Sequence, residues 1–238
     1  MFNSQNHHYK NSLLRKMSAD DLRLIEPHLE RCLLPLKMPL EGFKTPIDFI
    51  YFFEAGIGSI VAGIPKGRET EVGLIGFEGM TGSAIVLGDH RATHDCYIQL
   101  AGQGFRMPVE ALSEALSKSP TLRLFLLRFV HSLFTQTGYT ALVNARSKLE
   151  DRLARWLLMC DDRVEGDRLT ITHESLAIML GVRRPGVTVA IQILEGKGLI
   201  RASRGEILIR DHEGLIALAD GGYGEPEAEY QRLVGKID

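Results

Sequence analysis

From residue 10 to 34, charged and apolar positions alternate at helical spacing: Leu13, Leu14 and Met17, then Leu22, Ile25 and Leu29, with Ser18 placed as an N-cap between them. This predicts short packing helices, which Pro35, Pro39 and Pro46 then prevent from resuming. Between Gly42 and Gly104 the texture changes. Twelve of the chain's 24 glycines fall there and separate the β-rich runs Phe49 to Phe53, Glu71 to Ile75 and Cys96 to Leu100. Turns this frequent predict an antiparallel β-roll or barrel, and a small roll of this kind can hold a ligand in its interior. Pro108 to Leu116 reads as a helix, and Ser119-Pro120 starts another, a capping hydroxyl followed by proline in the first turn. That second helix, over 119–146, is apolar on nearly every face: Leu122, Leu124, Phe125, Leu126, Leu127, Phe129, Val130, Leu133 and Phe134. Such a helix must be covered on both sides. One side is expected to pack on the roll and the other on the same helix of a second subunit, with Leu122, Phe125, Phe129 and Leu133 as homodimer contacts. Burial within one monomer is the alternative.

The helical pattern is renewed at Ser147-Lys148-Leu149-Glu150, which fits the S-x-x-E capping box and opens a helix through RLARWLLMC to about Cys160, with Trp156 as core. The junction near Arg146 is a candidate hinge. The stretch Leu169 to Ile209 then predicts helix, tight turn, helix and β-hairpin. Thr172 is an N-cap, and Leu176, Ala177 and Leu180 form one apolar face, with the small Ala177 permitting a close crossing. Gly181 supplies a left-handed turn. Pro185 lies in the first turn of the second helix, whose Val187, Ile191 and Leu194 point inward. Arg184, Pro185, Thr188, Val189 and Gln192 are left outside. After Gly198 the chain forms a hairpin turning at Ser203-Arg204-Gly205. The expected architecture is α+β: a β-roll domain over 1–118, a dimerisation helix over 119–146, a winged helix-turn-helix over 147–225 and a tail over 226–238.

Composition changes this picture at one point. A chain of 238 residues, 45% hydrophobic, can bury more than one core. Its net charge of −2 looks unsuited to a polyanion, yet residues 167–210 hold seven cations against four anions, a net of +3, leaving −5 for the remainder. Positive charge is gathered on the predicted helix-turn-helix. The three cysteines, Cys32, Cys96 and Cys160, form no CxxC pair, which suits a reduced compartment. The opening MFNSQNHHYK lacks an apolar signal core, and no run approaches the roughly 20 apolar residues of a membrane span. A soluble, cytoplasmic protein without a membrane partner is expected.

The chemistry of the helix-turn-helix is that of a double-stranded DNA reader. Its second helix would enter the major groove N-terminus first, placing Arg184 where it can donate two hydrogen bonds to guanine. Arg183, Thr188 and the amides near Thr172 and His173 are candidate phosphate ligands. Gly186 and Gln192 are counted with the reading face, Val189 offers apolar contact to a thymine methyl, and Arg204 on the wing is placed for the backbone. Protein contact, with Arg183 and Arg184 solvated, is the alternative use of such a module.

The order of β-roll, apolar helix, RLARWLL and ITHESLAIMLGVRRPGVTVAIQILEGKGLI resembles the Crp/Fnr family of bacterial transcription regulators. The resemblance implies a cyclic-nucleotide-binding-domain-like roll, that is a double-stranded β-helix, a homodimer on a two-fold symmetric operator, an effector site in the roll and RNA polymerase as a partner. Arg184, Val187 and Thr188 match the family's R-x-x-V-[ST]-R recognition pattern, whereas Val189 replaces its closing arginine and Pro185 the frequent acidic residue. In the cassette that holds cyclic nucleotides in related proteins, the corresponding residues are Glu78, Gly79, Met80, Thr81, Gly82 and Ser83, with Arg91 and Thr93 echoing the phosphate-binding pair. Ser83 stands in the glutamate's place, so cyclic AMP is not the expected effector, whose identity is left open. The N-terminal cysteine cluster of iron-sulphur members is missing. His90, His94, Asp95 and Cys96 are metal-type residues, but on a loop their spacing does not align side chains. No catalytic constellation, metal site or cofactor is evident. The alternatives are a metal-dependent enzyme using the roll as a cupin-like barrel, and a sensor acting through protein contacts.

Overall fold

Ser18 caps as its position predicts: its hydroxyl accepts the Asp21 amide at 3.1 Å and separates α1 (Ser12–Lys16) from α2 (Ala19–Ile25). The structure, a computed structural model, describes residues 8–64, 68–166 and 168–236. The chain divides into two compact units, one of residues 1–60, 75–134 and 229–238, the other of residues 61–74 and 135–228.

In the first unit, helical spacing ends earlier than expected. After one short 3-10 turn at Glu26–His28, residues Glu30–Leu34 form strand β1, not helix. The adjacent Leu33 and Leu34 hid the two-residue period: Leu34 is buried while Leu33 is 76% exposed. The strands β2 (Pro39–Glu41), β3 (Phe49–Ile64), β4 (Arg68–Ile75) and β5 (Asp95–Pro108) complete an antiparallel sheet of order β1-β5-β3-β4, with β2 also on β5. The predicted apolar runs are the centres of longer strands. β3 and β5 approach so closely that a Cβ on Gly102 would lie 2.0 Å from the Ala55 carbonyl oxygen, and one on Gly104 2.2 Å from that of Phe52. Along β3, alternate residues enter different cores: Tyr51 and Phe53 pack with Leu34, Ile75 and Ile98, while Ile50 and Phe52 join the helices.

Those helices are α3 (Ser83–Leu87), α4 (Val109–Lys118) and α5 (Pro120–Arg146), and Ser119 caps the last by accepting the Leu122 amide at 3.1 Å. The expected C-terminal tail is instead largely helical. Tyr230 and Val234, in or just beyond the segment Glu225–Leu233, are buried in the first unit's core, and the Tyr230 hydroxyl donates to the Glu78 carbonyl at 2.7 Å.

The second unit holds the helix α6 (Leu149–Asp161), which begins one residue later than the capping box predicts. The Asp151 carboxylate, not Glu150, accepts the Lys148 amide at 3.1 Å. Trp156 is buried, as expected of core, and its indole N–H also donates to the buried Glu71 carboxylate at 2.8 Å. Leu74 donates to Gln136 at 2.7 Å nearby. Downstream lie β6 (Arg168–Thr170), α7 (His173–Met179), α8 (Arg184–Gly196), β7 (Ile200–Ser203), β8 (Glu206–Ile209) and α9 (His212–Leu218), followed by α10, the helix Glu225–Leu233. β6 is too short to leave a sequence period, and it makes the hairpin a three-stranded sheet, β6-β8-β7.

Candidate nucleic-acid interface

Thr172 opens α7 by accepting the Ser175 amide at 3.1 Å. The chain leaves that helix through Leu180–Arg183, with Gly181 at φ +61°, and re-enters helix at Arg184. The two helices are bent by 102°, within the range of a helix-turn-helix joined by a short turn. An arginine of α6 secures the bend, since Arg152 Nη2 donates to the Leu180 carbonyl at the end of α7. α8 is seated by Val187, Ala190, Ile191 and Leu194, all at most 3% exposed. The four-residue period then forces Arg184, Pro185, Val189 and Gln192 into solvent, and Arg183 is exposed just before them. Pro185 is the second helical residue, where its missing N–H costs nothing.

Three predicted residues have other partners. The Thr188 hydroxyl is 3.2 Å from His173 Nδ1 and donates to the Arg184 carbonyl at 3.3 Å, so Thr188 and His173 brace the two helices against each other. Gly186 is half-buried, and a Cβ there would lie 3.2 Å from Leu149 Cδ2. It allows α8 to approach α6 and offers no side chain to a ligand. On the wing, Ser203 pairs with Glu206 around a turn in which Gly205 has φ +77°, and Arg204 stands exposed at the tip.

The residues expected as dimer contacts on α5 differ in their exposure. Leu122 and Phe129 are 0% and 3% exposed and belong to the chain's own core, which Phe125 also packs against; these two therefore cannot form an outer seam. Leu133 is half-buried. The exposed large apolar residues of α5 are Leu124 (52%), Phe134 (63%) and Leu142 (53%). Leu124, Leu127, His131, Phe134, Gly138, Ala141 and Ala145 follow one another at alternating steps of three and four, the spacing of a coiled-coil seam.

The cassette residues in the first unit are engaged by neighbouring parts of the fold. Glu78 is 4% exposed and accepts the Gly76 amide at 3.0 Å, Met80 is core, and Thr81 is tied to Tyr51 by two 3.0 Å bonds. A Cβ on Gly79 would press on the Phe129 ring at 2.8 Å. Gly82 donates to Glu41 at 2.6 Å and precedes the half-buried Ser83 at the start of α3. Arg91 and Thr93 are exposed or nearly so on their loop and bonded to Asp89 and His94. A cavity of about 250 Å³ on this unit is lined instead by Glu41, Thr45, Asp48, Phe49 and Tyr51, among others. Burial pushes the Glu41 carboxyl above the usual carboxylate range, only partly opposed by the Gly82 amide. His90 is exposed and His94 is engaged with Thr93; no group of three or more His, Cys, Asp or Glu residues is arranged for a metal among the described residues. No single helix among them is long and apolar enough to cross a membrane.

Residues 151–218 match the Crp-like helix-turn-helix domain. No curated protein matches the chain significantly. Among solved structures, the chain is similar to a transcriptional regulator of the Crp/Fnr family from Eubacterium rectale, at 18% identity and TM-score 0.69 over 88% of this chain and 98% of that one. It is also similar to FixK2 from Bradyrhizobium japonicum, at 15% identity and TM-score 0.65 over 80% and 96% of the two chains. A third similar structure is the c-di-GMP-responsive global regulator CLP of Xanthomonas campestris, at 17% identity and TM-score 0.62 over 81% and 99%. The chain thus has the Crp/Fnr fold, an antiparallel β domain, a long helix and a C-terminal Crp-like helix-turn-helix.

Proposed function

We propose that the chain is a homodimeric, sequence-specific DNA-binding transcription regulator of Crp/Fnr type and not an enzyme. The observation that carries this reading is Arg184, exposed in the first turn of a helix whose opposite face is fully seated and which follows a 102° bend. An arginine in that position donates twice to guanine in the major groove, while Val189 and Gln192 supply the remaining side-chain contacts to base edges. Arg183 and the wing residue Arg204 hold phosphates. The α5 seam joins two copies, and two-fold symmetry of the protein calls for a two-fold symmetric operator with half-sites about one helical turn apart. A regulator of this type is gated by an effector in the β domain and works with RNA polymerase in the cytoplasm. Ser83 in the place of a ribose-binding glutamate argues for an effector other than cyclic AMP. Arg184→Ala should lower operator affinity by about 1–3 kcal/mol relative to random DNA. Unchanged discrimination between operator and random duplex would remove the assigned role.

A further inference from the structure

We propose that the cavity of about 250 Å³ bounded by β2, the loop 42–48 and the first residues of β3 is a binding site for a small organic cation, an ammonium or guanidinium group on a short apolar chain. Its nine lining residues include two carboxylates, Glu41 and Asp48, and no basic residue. None of the nine belongs to the cassette or to α5. The site is therefore separate from the loop that the sequence nominated for an effector, and it does not depend on the DNA-reading function.

Two polar groups of the lining lack partners. One Glu41 carboxylate oxygen accepts the Gly82 amide at 2.6 Å, while the other takes no hydrogen bond among the described residues. Tyr51 is 6% exposed, and its hydroxyl likewise has no partner there, although Thr81 bonds both its amide and its carbonyl. Both oxygens keep some accessible surface, and the cavity is the space that both residues line. A polar group buried without a hydrogen bond is costly, so a ligand rich in N–H donors answers both. Burial also disfavours the charged form of Glu41, and an ammonium beside it supplies the counter-charge. The remaining wall suits methylene groups, with Leu40 and Pro46 beside the rings of Phe49 and Tyr51, and aromatic faces attract cations within about 6 Å. Arg106, which lies over the Phe49 ring at 4.8 Å, is outside the lining and paired with Glu30 at 3.1 Å. The loop is fastened in advance: Lys44 donates to the Ala92 carbonyl at 2.9 Å, Ala92 to that of Thr45 at 3.0 Å and Ile47 to that of His90 at 2.9 Å. A wall already in place costs little to order on binding. The volume is below the ~300–1,000 Å³ of pockets for drug-sized ligands, which favours a short chain.

The test uses the full-length protein in about 0.15 M salt, which screens diffuse attraction to its surface carboxylates. Isothermal titration calorimetry with putrescine, agmatine and butylammonium is compared with butyrate and 1-butanol, which have chains of similar length and no positive charge. At least one of the cations should bind at one site per chain with Kd below about 1 mM and raise the thermal midpoint in proportion to its occupancy. Glu41→Gln keeps the size of the side chain and removes its charge, and should weaken that binding about tenfold or more. Tyr51→Phe should weaken it about threefold to tenfold, whereas Glu110→Gln, which removes an exposed carboxylate of α4, should bind like wild type. Circular dichroism of each variant controls for its fold. Absence of saturable binding by all three cations overturns the proposal. So does equal binding of butyrate or 1-butanol, or an affinity of Glu41→Gln that matches wild type.

Discussion

Phe134 offers the sharpest test of the proposed pairing of two copies through α5. Its side chain lies on the exposed seam of α5, whereas Phe129, one and a half turns earlier, is sealed in the core. A phenylalanine ring presents roughly 200 Å², and 63% of Phe134 is exposed. Covering that area in a dimer removes about 130 Å² per protomer from water, worth about 3 kcal/mol at ~25 cal/mol per Å². Two rings give about 6 kcal/mol, and if only half of the area is covered, about 3 kcal/mol remains, or two orders of magnitude in affinity at ~1.4 kcal/mol per decade. Phe134→Glu should therefore raise the dimer dissociation constant at least about a hundredfold, leaving a folded monomer. Phe129→Ala should instead cost about 3–5 kcal/mol of stability. Sedimentation equilibrium over a concentration series, with denaturant unfolding of each variant, separates the two effects. A Phe134→Glu protein that dimerises like wild type would refute the seam.

Glu71→Ala leaves the indole N–H of Trp156 without its 2.8 Å acceptor and should destabilise by about 1–3 kcal/mol. Glu71→Gln should recover part of the loss, and the chain's single tryptophan supplies the fluorescence readout. Gly104→Ala would drive a methyl group to 2.2 Å from the Phe52 carbonyl oxygen, so a loss of about 4 kcal/mol or more is expected in thermal unfolding. Glu41 has a folded-state pKa raised by burial, so the stability it contributes is present below its unfolded pKa and lost as pH rises through the folded value. Glu41→Gln should accordingly be more stable than wild type at pH ~7, with the advantage vanishing near the ordinary carboxyl pKa of about 4.3. Denaturant midpoints at the two pH values check the sign.

Features governed by neighbouring residues were legible in the sequence. The caps Ser18, Ser119 and Thr172, the Gly181 turn and the inward row Val187, Ile191 and Leu194 all follow from one or two turns of chain. Features settled by distant partners were not. Strand β1 owes its extended state to pairing with β5, from Glu30↔Arg106 to Leu34↔Gly102. The helix α10 shows few apolar positions, and only packing reveals what Tyr230 and Val234 contribute. On α5, apolar residues on nearly every face concealed which would turn outward, although the three-four spacing through Phe134 was present in the sequence. Gly186 leaves no polarity signal in the sequence, and its closeness to Leu149 emerges only from the structure. The cassette Glu78 to Ser83 resembled a ligand loop by position, yet its buried side chains serve the fold.

Selection of bound sequences from a pool of random duplexes by the wild-type protein tests the central claim most directly, performed in parallel with Arg184→Ala. The account predicts enrichment of a two-fold symmetric sequence whose half-sites lie about 10 base pairs apart, centre to centre. Guanine preference at one position of each half-site should weaken in the variant. Recovery of DNA without sequence enrichment, or of identical sequences by both proteins, would contradict it.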